Sequence, residues 1–329
     1  MLREIFDILK ISVCLLILTC AAACSHNRQV VPYETDIDKV LEAVAPNEDS
    51  SPENPSFGPD SLPGYILDYE ITTPLDDVYI YFDPLTVLDV KPEINADIFS
   101  FVGDQLSEFG FIADSVAFQP KELREAFGNG RPYRDVTSEL INRIHTDFNS
   151  RLDEIEGYKC PFNAHFQIYP LYFGEGVVTY RLSSYCYTGG AHGLNVTYIR
   201  SYDLNSGNVL TFNDIVKPES QTDVREEIAA RMAYFYPIYE NITTVEQYID
   251  SLNAWLDNFN SDNSTPITLR DFPVPDVALT REGLAAVYQM YELTPGSDGC
   301  PIVVIPYKDI EGCLQYSVNR SRPGRTQQQ

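Results

Sequence analysis

The 329-residue sequence is short of histidine, a frequent metal ligand and general base. Histidine occurs four times, as His26, His145, His165 and His192. None of them sits in an H-E-x-x-H element, and no G-x-S-x-G, C-x-x-C or phosphate-cradling glycine loop is present. No metal-ligand spacing is found, and no cofactor is implied. Basic residues are also scarce, with 23 Lys and Arg against 48 Asp and Glu, a net charge of -25. Nucleic-acid binding needs a concentrated positive footprint, so nucleic acid is excluded as a partner. A field of this sign draws cationic partners and repels anionic ones. There is no internal repeat.

What is present begins with a compartment signal. Arg3 and Lys10 flank a short polar start, and Ile11 to Ala23 is almost wholly apolar. That run is shorter than the roughly 20 residues of a membrane-spanning helix and has the proportions of a signal-peptide core. It ends in Ala21-Ala22-Ala23-Cys24. This resembles the lipobox of bacterial lipoproteins, although Ala21 stands where leucine is usual. The resemblance implies a signal peptide over residues 1–23 and a membrane anchor through lipid on Cys24. Ser25, rather than Asp, after the cysteine resembles the outer-membrane sorting pattern of Gram-negative bacteria. Residues 24–64 lack periodicity and include Pro46-Asn47-Glu48-Asp49-Ser50-Ser51-Pro52. Proline and like charge keep such a segment extended, so it reads as an acidic tether.

Regular patterns start near Tyr65. Val78 to Phe82 reads as a strand. Pro92 opens a helix with Ile94, Ile98, Val102 and Leu106 on one face. A second helix carries Ile141, Ile144, Phe148, Leu152 and Ile155, capped by Asp135 or Thr137 and ended by Gly157. Phe162, Ala164, Phe166 and Ile168 alternate as a strand, which turns at Gly174-Glu175-Gly176 into a second strand, Val177 to Tyr187. Val196 to Leu204 makes a third, closed by a tight turn at Asn205-Ser206-Gly207. Asp203 to Gly207 also matches the start of a calcium loop, but the remaining oxygen ligands and the closing Glu are missing. Helical faces return with Val224, Ile228, Met232 and Phe235, then with Tyr248, Leu252, Trp255 and Phe259. Strands follow at Val277–Thr280, Leu284–Met290 and Ile302–Ile305, then a short helix from Tyr307 to Leu314. Strands and helices come in blocks, so the class is α+β. We expect antiparallel hairpins with packed helices in two associated subdomains, residues 65–187 and 188–319, and a polar tail over 320–329. Beyond Cys24 the cysteines are Cys160, Cys186, Cys300 and Cys313. An even count in an exported chain suggests disulfides with three connectivities. Cys160–Cys186 and Cys300–Cys313 are favoured, because each pair brackets a local unit.

The most distinctive stretch is Tyr185-Cys186-Tyr187-Thr188-Gly189-Gly190-Ala191-His192-Gly193. It is followed by Tyr202-Asp203-Leu204-Asn205-Ser206-Gly207 and, further on, by Leu279-Thr280-Arg281-Glu282-Gly283-Leu284 and Ile305-Pro306-Tyr307-Lys308-Asp309-Ile310. These residues resemble an extracytoplasmic bacterial domain family of unknown function. That family occurs in the lysozyme-binding anti-sigma-V regulator and beside peptidoglycan deacetylases, and here it takes the form of a stand-alone lipoprotein. The resemblance implies a cell-envelope binding module for lysozyme, another cationic protein, or peptidoglycan. Where family members carry an aromatic and glycine pattern near the last hairpin, this chain has Tyr291-Glu292-Leu293-Thr294-Pro295-Gly296.

Gly189 and Gly190 allow unusual backbone angles beside His192, a candidate base or ligand. Held by backbone hydrogen bonds, the same histidine would be structural. Tyrosine is abundant, at 22 residues. Tyr185, Tyr187, Tyr198 and Tyr202 fall on adjoining strands, where they form either an exposed aromatic surface or rings that cover a half-buried sheet. The reading is a non-enzymatic, lipid-anchored binding domain of the cell envelope, with Tyr185, Tyr187, Gly189, Gly190, His192, Tyr198 and Tyr202 as candidate binding residues. A peptidoglycan or glycan binder is the first rival, and a hydrolase built on His192 the second.

Overall fold

In the chain's first sheet, strand alternation sends every second side chain to a helix-covered face. This computed structural model describes residues 64–316, apart from 74, 76, 89, 115–117, 159, 175, 240–241 and 260–265. The expected signal segment, Cys24, the expected tether up to residue 63 and the expected polar tail lie outside the described residues. Strands β1 (Gly64–Thr72), β2 (Val78–Leu88), β3 (Phe162–Gly174), β4 (Val177–Tyr187) and β5 (Leu194–Asp203) form a sheet in that order. Between β2 and β3 come α1 (Pro92–Glu108), α2 (Pro120–Gly128), α3 (Tyr133–Ser150) and α4 (Leu152–Tyr158).

The structure bears out the α+β class. It departs from a purely antiparallel sheet at one place: β2 and β3 run parallel, with Val78 opposite Phe162 and Phe82 opposite Phe166. Parallel neighbours need a crossover of a dozen or more residues, and the four helices supply it. They cross over one face of the sheet. Ile80, Phe82, Phe166, Tyr180 and Leu182 point into that layer and are buried with Phe99, Val102 and Phe148. Phe82 stacks on Phe166 at 5.0 Å, and Phe101 meets Phe166 edge-on. The apolar positions expected on α1 (Ile94, Ile98, Val102 and Leu106) are all buried. The second expected helix is two, since α3 begins at Tyr133 after Pro132 and ends at Ser150 before Arg151, ahead of α4. Neither Asp135 nor Thr137 caps it: Asp135 lies in the first turn and Thr137 is buried.

The remainder contains α5 (Phe212–Ile215), α6 (Gln221–Phe235), α7 (Val245–Phe259) and a three-stranded antiparallel sheet of β6 (Asp276–Leu279), β7 (Gly283–Val287) and β8 (Ile302–Pro306). The helix expected from Tyr307 to Leu314 is instead a series of turns and a lone bridge from Leu314 to Val216. Arg231 on α6 is buried and fully engaged. Its Nε donates to the Val304 carbonyl at 2.9 Å, and its Nη atoms pair with Glu227 and Asp309 at 2.8 Å each. Loss of this arginine would leave the buried Val304 carbonyl and the partly buried Glu227 carboxylate unpaired.

The two sheets meet across β5. The expected boundary at 187/188 falls inside the first sheet, because β5 pairs with β4 from Asp203 to Leu194. Ile199 packs with Ala278, Val287 and Ile302. Behind it is a closed ring of hydrogen bonds. The Thr179 hydroxyl donates to the Leu279 carbonyl at 2.6 Å, and the Leu279 N–H donates to Ser201 Oγ at 2.8 Å. The Ser201 hydroxyl is then the donor to Thr179 Oγ1 at 2.7 Å. The exposed edge of β5 is closed in part by the Gln289 side-chain amide, which accepts from the Thr197 N–H and donates to its carbonyl. That occupies groups an edge strand would otherwise leave open to another chain.

The expected disulfides are corrected here, since Cys160, Cys186, Cys300 and Cys313 are all free thiols. On β3 the partner of Cys186 is Ala164, four residues beyond Cys160. At roughly 3.3 Å per strand residue, that separation is too long for a bridge. Cys186 also points into the helix-covered core, where burial pushes its thiol up to about 12, whereas Cys160 Sγ lies against the Thr188 carbonyl. Cys300 precedes β8 with its Sγ toward the Asn195 carbonyl, and Cys313 follows the strand, with its carbonyl accepting from Lys217 N–H. The length of β8 stands between them.

Candidate functional site

The other face of the first sheet is open at Glu70 and Thr72 of β1, over Tyr79 to Asp83 of β2, along the first half of β3 and at the end of β4, and it carries aromatic side chains. Register places them in rows. Thr72, Tyr79, Asn163 and Tyr187 form one row across four strands. Glu70, Tyr81, His165, Tyr185 and Asn195 form the next. Tyr79 and Tyr81 are each 36% exposed and Tyr185 is 38% exposed. The Tyr81 and His165 rings lie 5.0 Å apart. His165 Nε2 is 2.8 Å from Asp83 Oδ1. Burial works to raise the Asp83 carboxyl, but hydrogen bonds from His165 and Gln167 prevail and hold it below its ordinary value.

The expected tyrosine set is split between the two faces. Leu182 pairs with Tyr198, and Val178 with Tyr202, so Tyr198 and Tyr202 share the helix-covered side. Tyr202 is fully buried and donates to Asp97 Oδ2 at 2.7 Å. The same carboxylate accepts from Arg200 Nη1 at 2.8 Å. Burial, with the Asp97 charge beside it, raises the Tyr202 phenol well above its usual value. Tyr198 meets Phe101 edge-on and lies under the Arg200 guanidinium at 4.4 Å. Both are packing residues. Tyr185 and Tyr187 stay on the open face.

The glycine loop extends that face toward the second sheet. Gly189 and Gly190 take φ of +94° and +101°, the left-handed region that favours glycine. Tyr187 donates its hydroxyl to the Gly190 carbonyl at 2.9 Å. The Tyr185 ring lies so close over Gly193 that a Cβ there would sit 2.4 Å from Tyr185 Cζ. His192 Nδ1 is 2.9 Å from the Gly193 carbonyl, and its Nε2 is 3.2 Å from the Tyr291 hydroxyl. A carbonyl only accepts, so in the neutral ring Nδ1 carries the proton and Tyr291 donates to Nε2. Both ring nitrogens are thus occupied by a backbone carbonyl and a phenol, an arrangement with no carboxylate to orient a catalytic base. Tyr291 itself has φ +68° and is 43% exposed, with its ring pressed on Gly296.

The contact chain Tyr185–Gly193–His192–Tyr291 joins sheet face and β7–β8 loop into one surface. Of the six large hydrophobic side chains exposed among the described residues, four lie on it: Tyr79, Tyr81, Tyr185 and Tyr291. Tyr234 and Tyr239 are elsewhere, in and after the last turn of α6. Sequence reasoning missed Tyr79, Tyr81, His165 and the carboxylates beside them. The signal for the tyrosines was the alternation Val78-Tyr79-Ile80-Tyr81-Phe82, in which the tyrosines take the parity opposite to the core. Among the described residues, no group of three or more His, Cys, Asp or Glu is placed to hold a metal ion, and no helix is long and apolar enough to cross a membrane.

Comparison with known proteins gives a domain-level answer. No curated protein matches the chain. Among solved structures it is similar to a DUF3298 family protein from Pseudomonas aeruginosa PAO1, at 20% identity and TM-score 0.44, over 78% of this chain and 95% of that one. It is also similar to a DUF3298 family member from Bacteroides fragilis NCTC 9343, at 16% identity and TM-score 0.43, over 78% and 94% of the respective chains. The Tyr187–Gly193 loop precedes the region that matches a family model. Residues 213–308, from α5 to just past β8, match the domain family described as a protein of unknown function, DUF3298.

Proposed function

We propose that this chain is a non-enzymatic binding protein of the bacterial cell envelope, lipid-anchored through Cys24 at the outer membrane, whose partner is lysozyme or another cationic protein. The observation that carries the reading is the gathering, on one continuous surface, of four of the six large aromatics exposed among the described residues. Scattered exposed apolar residues are ordinary, whereas a contiguous patch marks an interaction site. Tyrosine gives large contact area with a polar tip and little rotamer entropy to lose. The partner's sign follows from the net charge of -25, which steers a basic protein toward the chain. The choice of lysozyme rests on the resemblance described above.

The test is titration of the intact chain, in detergent micelles, with lysozyme at low and at physiological salt, alongside purified peptidoglycan. The expected result is saturable lysozyme binding at physiological salt that Tyr185→Ala and Tyr291→Ala weaken. Attraction that disappears with salt would mean only that an acidic protein meets a basic one. Saturable binding to peptidoglycan in its place would transfer the surface to a glycan.

A further inference from the structure

On the open face, carboxylates stand beside aromatic rings, and this points to the chemical group the face receives. Glu70 is the register partner of Tyr81 on β1 and is exposed. Asp83 lies two residues beyond Tyr81, on the same side of β2, and holds His165 by one oxygen. Successive same-face residues on a strand are about 7 Å apart and neighbouring strands about 4.8 Å. Tyr79 and Tyr81 therefore stand about 7 Å apart on β2, with Glu70 beside Tyr81 on β1 and Asp83 next along β2, and Tyr185 lies about 10 Å from Tyr81, across His165 on β3. Arg181 lies two rows beyond Tyr185 on β4, hydrogen-bonded to Tyr169. The described part of the Tyr79–Tyr81–Tyr185 patch thus has aromatic faces and acids, with no Lys or Arg among its rows.

We infer that this patch is a docking site for arginine and lysine side chains of a basic protein partner, held over the Tyr79 and Tyr81 rings and steered by Glu70 and Asp83. The inference rests on the binding reading above and names the part of the surface that would recognise charge. A cation within about 6 Å of a ring centroid is attracted by the ring quadrupole. The planar guanidinium adds stacking and two-pronged pairing to a carboxylate, so arginine should bind better than lysine. The loop residues Tyr185, His192 and Tyr291 would then supply shape, and the β1–β2 corner the charge selectivity.

The experiment uses the intact chain in micelles at physiological salt. It is titrated with an oligo-arginine peptide, an oligo-lysine peptide, an oligo-glutamate control and a neutral N-acetylglucosamine oligomer, with lysozyme run in parallel. Oligo-arginine should saturate and bind tighter than oligo-lysine. Tyr79→Ala with Tyr81→Ala should weaken it about tenfold, two exposed cation–π contacts being worth about that much. The Tyr79→Phe and Tyr81→Phe pair keeps the rings and should stay within about twofold. Glu70→Gln should lower affinity and flatten its salt dependence. Equal binding by wild type and the alanine pair, or preference for the neutral oligomer, would overturn the inference. Lysozyme binding that ignores the alanine pair would overturn it while leaving the proposed function standing. Oligo-arginine binding without lysozyme binding would do the reverse.

Discussion

The two faces of the five-stranded sheet use the same strands and partly the same residue type, yet they do different work. On the helix-covered face, Tyr180 and Tyr202 are buried and meet edge-on at 6.3 Å, and Tyr202 completes its hydrogen bonding on Asp97. On the open face, Tyr79, Tyr81 and Tyr185 keep more than a third of their surface in water. A tyrosine with its hydroxyl satisfied inside contributes to stability, and one left outside is available to a partner. The parity of a strand position decides between the two, since one step along the strand reverses the face.

Substitutions can sharpen that contrast or break it. The largest effect is expected from Phe166→Ala, which empties the space between Phe82 and Phe101. It should cost about 3–5 kcal/mol in denaturant unfolding. Thr179→Val comes next. It opens the hydrogen-bond ring between the sheets, strands the Leu279 carbonyl and the Ser201 hydroxyl, and should cost about 1–3 kcal/mol by the same measurement. Tyr202→Phe should cost about 1 kcal/mol, because Asp97 keeps its bond from Arg200. On the open face, Tyr81→Ala should change stability by no more than about 0.5 kcal/mol and act on binding alone. A cost for Tyr81→Ala as large as that for Phe166→Ala would dissolve the distinction between the faces.

The smallest effect concerns pH. Burial raises Glu108 above its ordinary 4.5, with Asp104 adding to it, and burial likewise raises Glu292. A carboxylate whose folded value is raised binds its proton more tightly when folded. Stability should therefore rise as pH falls through those raised values and stop rising near 4.5, the unfolded value. Asp83, held below its ordinary value, acts in the opposite sense, and its contribution is lost as pH falls through its folded value. Thermal midpoints between pH 8 and 4.5 should show the net gain, and Glu108→Gln should reduce it.

Local patterns made much of this fold legible. The 3.6-residue faces of α1, α6 and α7 and the period-2 strands β3 to β5 could be read from apolar spacing, as could the turns at Gly176 and Gly207. Long-range pairing could not. Nothing local says that β2 runs parallel to β3, because the reason is the helical block placed between them. The same gap explains the cysteines: Cys160 and Cys186 looked like neighbours across a hairpin, but register places Ala164, not Cys160, opposite Cys186. The site was half legible. Adjoining strands left the exposure of Tyr185, Tyr187, Tyr198 and Tyr202 open, and the β4–β5 register divides them, with Tyr185 and Tyr187 on the open face and Tyr198 and Tyr202 inside. Tyr291 joins His192 only because the β7–β8 loop folds back across ninety-nine residues of sequence.

The most direct test of the two-face account is a paired measurement on Tyr185→Ala in the intact chain, with the thermal unfolding midpoint and lysozyme affinity at physiological salt taken from one preparation. The account predicts an unfolding midpoint lowered far less than in Phe166→Ala and a clear loss of saturable binding. A lowered midpoint with unchanged binding would contradict it, because Tyr185 would then belong to the fold and not to the recognition surface.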